Sequence, residues 1–306
     1  KRFYHAGRSG YGALTGEPME NTQDLIDKLN RSGRRLSKGH RRIAEFIAQN
    51  YDKAVAMTAA TLGKCCECSE STVVRFASAL GYEGYPELQE SLRELVRHRL
   101  TAVQRFELTG NLPQGEVLST VLKTDMLNIR RTVEEINLQD FDDVVERLLR
   151  AKRIYVLGLR SAAPLAQFLG HYLHLIFDEV VLVSASTGDV FEEIARVSGD
   201  DVLIGISFPR YSTRTVEAMR FARDMGAQVI GITDGAMSPL CDVAHVCLRA
   251  HTDMASFVDS LAAPLSLINA LIVALGLEKR DELGEHFKQL ESIWDAYSVY
   301  INKENH

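Results

Sequence analysis

Between Arg153 and Leu248 the chain alternates short β-branched runs with helical stretches, and this alternation restricts the fold more than any other feature. The runs are Arg153–Leu157, Val180–Val183, Val202–Ser207, Val229–Thr233 and His245–Leu248. Helical periodicity lies between the first four, at Ser161–Phe177, Asp189–Val197 and Thr213–Met225. Strands joined through helices pair in parallel, since a tight hairpin would be needed to pair them antiparallel. Parallel sheets are covered on both faces, which suits near-continuous apolar runs such as Val-Val-Leu-Val. The pattern therefore predicts an α/β domain: a five-stranded parallel sheet with helices on both faces. Two further helices, Phe257–Leu275 and Asp281–Ile301, close the chain. The first is apolar nearly all round, so it belongs in the core or against another subunit.

Upstream of residue 150 the period is helical throughout. Ser37 caps a helix running to about Asn50, with Ile43, Phe46 and Ile47 on one face. A short helix follows near Asp52–Met57, and another at Thr58–Cys66. The turn Glu67–Ser69 then leads into Ser69–Leu80. In that helix Val73, Phe76, Ala77 and Leu80 form an apolar stripe, while Ser71, Thr72, Arg75 and Ser78 face the other way. Ser69 stands at the N-cap, Glu70 suits the helix dipole, and Gly81 suits the C-cap. Two short helices across a three-residue turn predict a helix-turn-helix. Small polar residues and an arginine on the outer face suit the major groove. The candidate DNA-contacting residues are Lys38, Arg41, Arg42, Lys64, Ser69, Ser71, Thr72 and Arg75. A further helix is expected from Glu87 to about Phe106, opened by Pro86. The segment Thr109–Gly115 reads as a linker. Beyond it, Val117, Val121, Leu122, Met126 and Ile129 mark a long amphipathic helix, and Leu138–Arg150 a second.

The expected division is an arm at 1–20, a DNA-binding domain at 21–108, a linker at 109–115 and a sheet domain at 116–306. The net charge of −6 conceals an asymmetry: residues 1–100 balance to +4 and residues 101–306 to −10. A basic N-terminal part matches a nucleic-acid partner. No apolar run reaches the roughly 20 residues of a membrane span, and no signal peptide is visible, so a cytoplasmic location is expected. Cys65, Cys66 and Cys68 are crowded, but they lack paired CxxC spacing and a nearby histidine. They read as core thiols, and neither a metal nor a cofactor is expected.

Ligands of parallel sheets bind at the carboxyl ends of the strands, where helix N-termini offer backbone N–H groups to anions. Three loops qualify. The first carries Gly158, Arg160 and Ser161. The second, Ser207–Thr213, holds Ser207, Arg210, Tyr211, Ser212 and Thr213, a set able to hold an oxyanion. The third offers Ser184 and Ser186. No paired catalytic set accompanies them: there is no GxSxG, P-loop or full GxGxxG.

Together, the motif Glu70-Ser71-Thr72-Val73-Val74-Arg75-Phe76 with Leu80-Gly81-Tyr82, and the sheet-domain segments GLRSA, SFPRYS and VIGITD, resemble the RpiR/MurR family of bacterial transcriptional regulators. The resemblance spans about Leu25 to Ile301. It implies a flavodoxin-like SIS (sugar isomerase) domain and a homodimer or homotetramer. It also implies a palindromic double-stranded DNA operator and a small anionic, sugar-like effector such as a sugar phosphate. SIS phosphate loops commonly read Ser-x-Ser-Gly-x-Thr. Here Ser207 and Ser212 hold the outer positions, while Pro209 and Arg210 replace the inner Ser and Gly. Either Arg210 binds the anion itself, or the effector is not a simple phosphosugar. A phosphosugar isomerase with a helical appendage is the alternative function.

Overall fold

The computed structural model describes residues 37–300, apart from 56, 90, 93–102, 104, 107–112, 186, 187 and 256. The expected arm at 1–20 lies outside the described residues. The chain divides into two compact units, Lys1–Leu95 and Val96–His306. This division falls earlier than the linker expected at 109–115. The reason is visible at Arg105, which is buried and pairs with Asp259 of the sheet unit at 2.8 Å. Phe106 packs its ring against Phe257, centroids 6.0 Å apart.

In the first unit, α1 (Lys38–Gln49) and α2 (Tyr51–Ala54) precede the helix pair α3 (Ala59–Cys65) and α4 (Glu70–Ala79). Three hydroxyl caps set the helix starts: Ser37 for α1, Thr58 for α3 and Ser69 for α4. Gly63 permits the α3–α4 turn, because a Cβ there would lie 2.9 Å from the Cys68 carbonyl oxygen. Ile43 and Ile47 from α1 pack with Leu62 from α3 and Val73, Phe76 and Ala77 from α4. Tyr85, Leu88 and Leu92 complete this core. The helix expected at 87–106 is helical at 85–89 and 91–92, and much of its remainder lies outside the described residues.

The second unit starts with α5 (Val117–Glu135) and α6 (Leu138–Arg150), then alternates. In order come β1 (Ile154–Gly158), α7 (Ala163–Ile176), β2 (Val180–Val183), α8 (Val190–Glu193), β3 (Val202–Ile206) and α9 (Thr213–Asp224). β4 (Gln228–Thr233), α10 (Pro239–Val243), β5 (Val246–Arg249), α11 (Ala262–Glu278) and α12 (Arg280–Ala296) follow. All neighbouring strands are parallel, in the flavodoxin-like order β2-β1-β3-β4-β5. Alternate residues face opposite sides. Ile154, Val156, Ile204 and Ile230 join α6, α7 and α11 in one core. Tyr155, Leu157, Leu203 and Val229 join α8, α9 and α10 in the other.

Three elements differ from expectation. The helix at Asp189–Val197 shortens to one turn, α8, opened by a capping box between Asp189 and Glu192. α11 starts at Ala262 rather than Phe257, leaving 250–261 as a connecting loop. The small helix α10, which the sequence reading missed, carries Ser238 at its N-cap and Pro239 at its start. No single helix of the described residues is long and apolar enough to cross a membrane.

Phe76 is fully buried at the centre of the first unit. Phe76→Ala is expected to destabilise that unit by about 3–5 kcal/mol. Hydrogen exchange followed separately in the two units should show the loss confined to residues before 96.

Candidate functional site

β1 pairs with β2 on one side and β3 on the other. The connections leaving β1 and β3 therefore diverge, which opens a crevice at their carboxyl ends. A cleft of about 750 Å³ lies there. Arg160 and Ser161 line it from the loop after β1. Ser207, Arg210, Tyr211, Ser212 and Thr213 line it from the loop after β3. Arg105, Phe257, Val258 and Asp259 form a wall that sequence reasoning missed. Arg105 fell within the expected DNA-binding segment, and 257–261 within an expected helix, so neither carried a local signal.

The loop after β3 is held from below. The Ser207 amide donates to the Ile232 carbonyl at 3.2 Å, and the Ser207 hydroxyl oxygen accepts from the Ser212 amide at 3.1 Å. Ser212 caps α9 by accepting from the Thr215 amide. The Tyr211 hydroxyl donates to Asp234 Oδ1 at 2.6 Å. Burial, and then the Asp234 charge, push the Tyr211 phenol far above its ordinary value, so it stays protonated. Tyr211 thus anchors the loop to the end of β4.

Two cleft arginines have left-handed backbones: Arg160 at φ 56° and Arg210 at φ 65°. Arg210 keeps the conformation that glycine adopts readily, at the place where the SIS pattern has glycine. Both side chains are exposed, and no ion pair engages either among the described residues. Arg214 is committed elsewhere, to Asp189 at 3.0 Å. Two guanidinium groups, several hydroxyls and the N-terminus of α9 make this an anion-binding arrangement.

The remaining effector candidates lie apart. Gly158 does not line the cleft. A Cβ there would come within 2.8 Å of Ala166 Cβ and 2.7 Å of the Ala162 carbonyl oxygen, so its role is close strand–helix approach. Ser184 is exposed outside the cleft lining, its amide donating to Glu193 at 3.0 Å. Ser186 lies outside the described residues.

On α4, Ser71 and Arg75 are exposed and Thr72 is half-buried. Ser69 does structural work, bonding the Thr72 amide and lying 2.9 Å from Ser71 Oγ and 2.8 Å from Thr72 Oγ1. Arg75 Nε donates back to the Ser71 carbonyl at 3.2 Å. His40 stacks edge-on against Phe76, and burial together with the Arg75 charge holds its pKa below the ordinary value. The start of α1 therefore abuts α4. Lys38 and Arg41 of α1 and Lys64 of α3 are exposed. Arg42, expected as a phosphate contact, reaches Glu67 Oε2 at 2.8 Å and the Glu67 carbonyl at 3.2 Å. It braces the helix-turn-helix turn, because Glu67 sits in the left-handed region there. Val74 is exposed beside Arg75. The amphipathic wheel could have flagged it.

Residues 23–97 match the helix-turn-helix domain of the rpiR family, and residues 147–274 match the SIS domain. HexR, an HTH-type transcriptional regulator of Pseudomonas aeruginosa, is 26% identical over 279 residues, covering 89% of this chain and 94% of its own. An uncharacterised HTH-type regulator of Haemophilus influenzae is 23% identical over 277 residues, covering 89% and 96%. The sugar isomerase domain of an RpiR transcription factor from Sphaerobacter thermophilus shares the fold, with TM-score 0.56 and 22% identity over 58% of this chain and 99% of that one. Vibrio vulnificus NanR, solved in complex with ManNAc-6P, gives TM-score 0.55 and 20% identity over 91% of this chain and all of its own. A DNA-binding helix-turn-helix unit joined to a SIS domain defines a class of transcriptional regulator. Within that class, the chain carries the helix-turn-helix domain of the rpiR family together with a SIS domain.

Arg210→Gly is expected to raise stability by about 0.5–1 kcal/mol, the left-handed strain relieved less the entropy of glycine. Thermal melting of the ligand-free protein checks the sign.

Proposed function

We propose that this protein couples DNA binding through α4 to an anionic, sugar-like effector held in the cleft between the β1 and β3 loops. The observation that carries the effector reading is the pairing of Arg160 and Arg210 at the switch point, with Ser161, Ser207, Ser212, Thr213 and the start of α9 around them. That set suits a phosphate or carboxylate, and the cleft volume suits a hexose-sized ligand. NanR's complex with a phosphorylated amino sugar supports the phosphate reading. Arg210 then supplies by charge what the missing Ser and Gly would supply by hydroxyl and close backbone approach. The role is sensing rather than turnover. Asp259, a carboxylate in the cleft wall, is engaged by Arg105 at 2.8 Å.

On the DNA side, Ser71, Thr72, Val74 and Arg75 face the major groove, while Lys38, Arg41 and Lys64 hold phosphates. The protein acts in the cytoplasm as a homodimer or homotetramer on a palindromic operator. Support for self-association comes from α5, whose inward residues are polar. Asn128 bonds the Asp253 carbonyl and amide, and Thr132 Oγ1 accepts from the His251 amide. Its apolar residues Leu118, Leu122, Met126 and Val133 are exposed instead.

Three outcomes follow. On a duplex recovered by in vitro selection, Arg75→Ala should weaken binding by about 1–3 kcal/mol without changing the melting temperature. Fluorescence anisotropy would read this, and Lys38→Ala or Arg41→Ala should each lower the salt slope by about 1. In a thermal-shift panel, a sugar phosphate at a hundredfold excess over Kd should stabilise by about 2.7 kcal/mol. Its unphosphorylated sugar should not, and Arg210→Ala should remove the shift. Leu122→Glu with Met126→Glu should reduce the assembly to a smaller species by light scattering.

A further inference from the structure

At the sheet edge beyond β4, two cysteines meet. Cys241 lies on α10 and Cys247 on β5, and their thiols are within hydrogen-bonding reach of each other. Both are half-buried and line a surface hollow of about 300 Å³ with Asp140, His245 and Arg249. β4 leaves room for the pair, because a Cβ on Gly231 would lie 2.6 Å from Cys247 Sγ.

The pair is wired to the effector loop by a single turn. Cys241 Sγ donates to the Gly235 carbonyl at 3.6 Å, and the Cys241 amide donates to the Ser238 carbonyl at 2.9 Å. Ser238 Oγ bonds Thr233 Oγ1 at 2.6 Å. Asp234, in the same turn, accepts the Tyr211 hydroxyl. Moving the Cys241 sulfur therefore disturbs the turn that anchors Tyr211.

We propose that Cys241 and Cys247 form a hydroperoxide-oxidisable dithiol whose closure to a disulfide loosens the anchor of the effector loop. The Cys241 thiolate attacks one peroxide oxygen and the O–O bond breaks. Cys241 becomes a sulfenic acid, and the departing oxygen takes a proton to leave as water or an alcohol. The Cys247 sulfur then attacks Cys241, the S–S bond forms, and hydroxide leaves with the Cys247 proton as water. Two thiols are oxidised as one hydroperoxide is reduced.

The surroundings assign the two roles. Cys241 is held below its ordinary pKa, chiefly by the hydrogen bond from Cys247 and then by Arg249, against burial and the charges of Asp242 and Asp234. Cys247 is pushed far up by that same hydrogen bond and by burial, so it remains the protonated partner. Once ionised or oxidised, Cys241 no longer donates to Gly235. In the helix-turn-helix unit, by contrast, Cys66 is pushed up to about 11, mainly by burial, and Cys68 is also raised by burial. Those thiols serve as an internal comparison. The oxidation chemistry stands without the effector reading, and only its consequence for the cleft rests on that reading.

Both cysteines fall on one tryptic fragment, Asp224–Arg249, while Cys65, Cys66 and Cys68 fall on Cys65–Arg75. The full-length protein is treated with hydrogen peroxide, blocked with N-ethylmaleimide, digested and weighed. The expected result is that Asp224–Arg249 loses two hydrogens and escapes alkylation while Cys65–Arg75 is still alkylated. Cys247→Ser should leave Cys241 as a sulfenic acid captured by dimedone, and Cys241→Ser should leave Cys247 alkylated. A doubly alkylated Asp224–Arg249 at doses that oxidise Cys65–Arg75 overturns the proposal. So does unchanged oxidation of Cys247 in Cys241→Ser. The link to the cleft is read without any effector, as hydrogen exchange at residues 207–213. It should rise several-fold on oxidation and return with dithiothreitol, and unchanged exchange in fully oxidised protein overturns the link.

Discussion

The parallel pairing of β1 with both β2 and β3 is the constraint on which the sheet unit's function depends. Because β1 has neighbours on both sides, the chain must leave β1 in one direction and β3 in the other. No connection then covers the gap between their carboxyl ends. The cleft, the paired arginines and the start of α9 all follow from that one topological fact. Buried strands such as Ile154–Gly158 and Val202–Ile206 hold it rigidly, since every residue in both is buried.

The cleft is flanked by residues that break local rules. Arginine in the left-handed region is costly, yet it occurs at Arg160 and Arg210, on the two loops flanking the crevice. The hydrogen bond from Tyr211 to Asp234, and the Ser207–Ser212 bond beneath it, hold the second loop in that conformation. In the first unit the corresponding device is the Arg42–Glu67 contact, which fixes a left-handed turn residue so that α4 is presented at a set angle to α3. In both places a polar contact that is unremarkable in energy decides where a functional surface points.

Much of this was legible in the chain. Val73, Phe76, Ala77 and Leu80 recur at helical spacing, and Ser69 caps, so α4 and its buried face could be read directly. The five strands were legible from β-branched runs, and the cleft hydroxyls from their position at strand ends. Other parts were not legible. Arg42 belonged to a basic run, and only folding brought Glu67, 25 residues away, within 2.8 Å. Arg105 and the wall at 257–259 reach the cleft from segments distant in sequence. The stripe on α5 was readable as apolar, but which way it faces was not. Asn128 and Thr132 find backbone partners at 251–253, and they turn the leucines outward.

By itself the sequence determined the local choices: helix or strand, caps and turns, and which residues would be apolar neighbours on one face. These depend on periods of 3.6 and 2 and on residues a few positions apart. The tertiary structure alone decided which arginines are committed and which are exposed, that two cysteines six residues apart in sequence line one hollow across a strand–helix boundary, and that Gly158 packs closely against the residues that open α7. Those outcomes depend on the distances between elements, and no local pattern encodes a distance until the sheet order has set it.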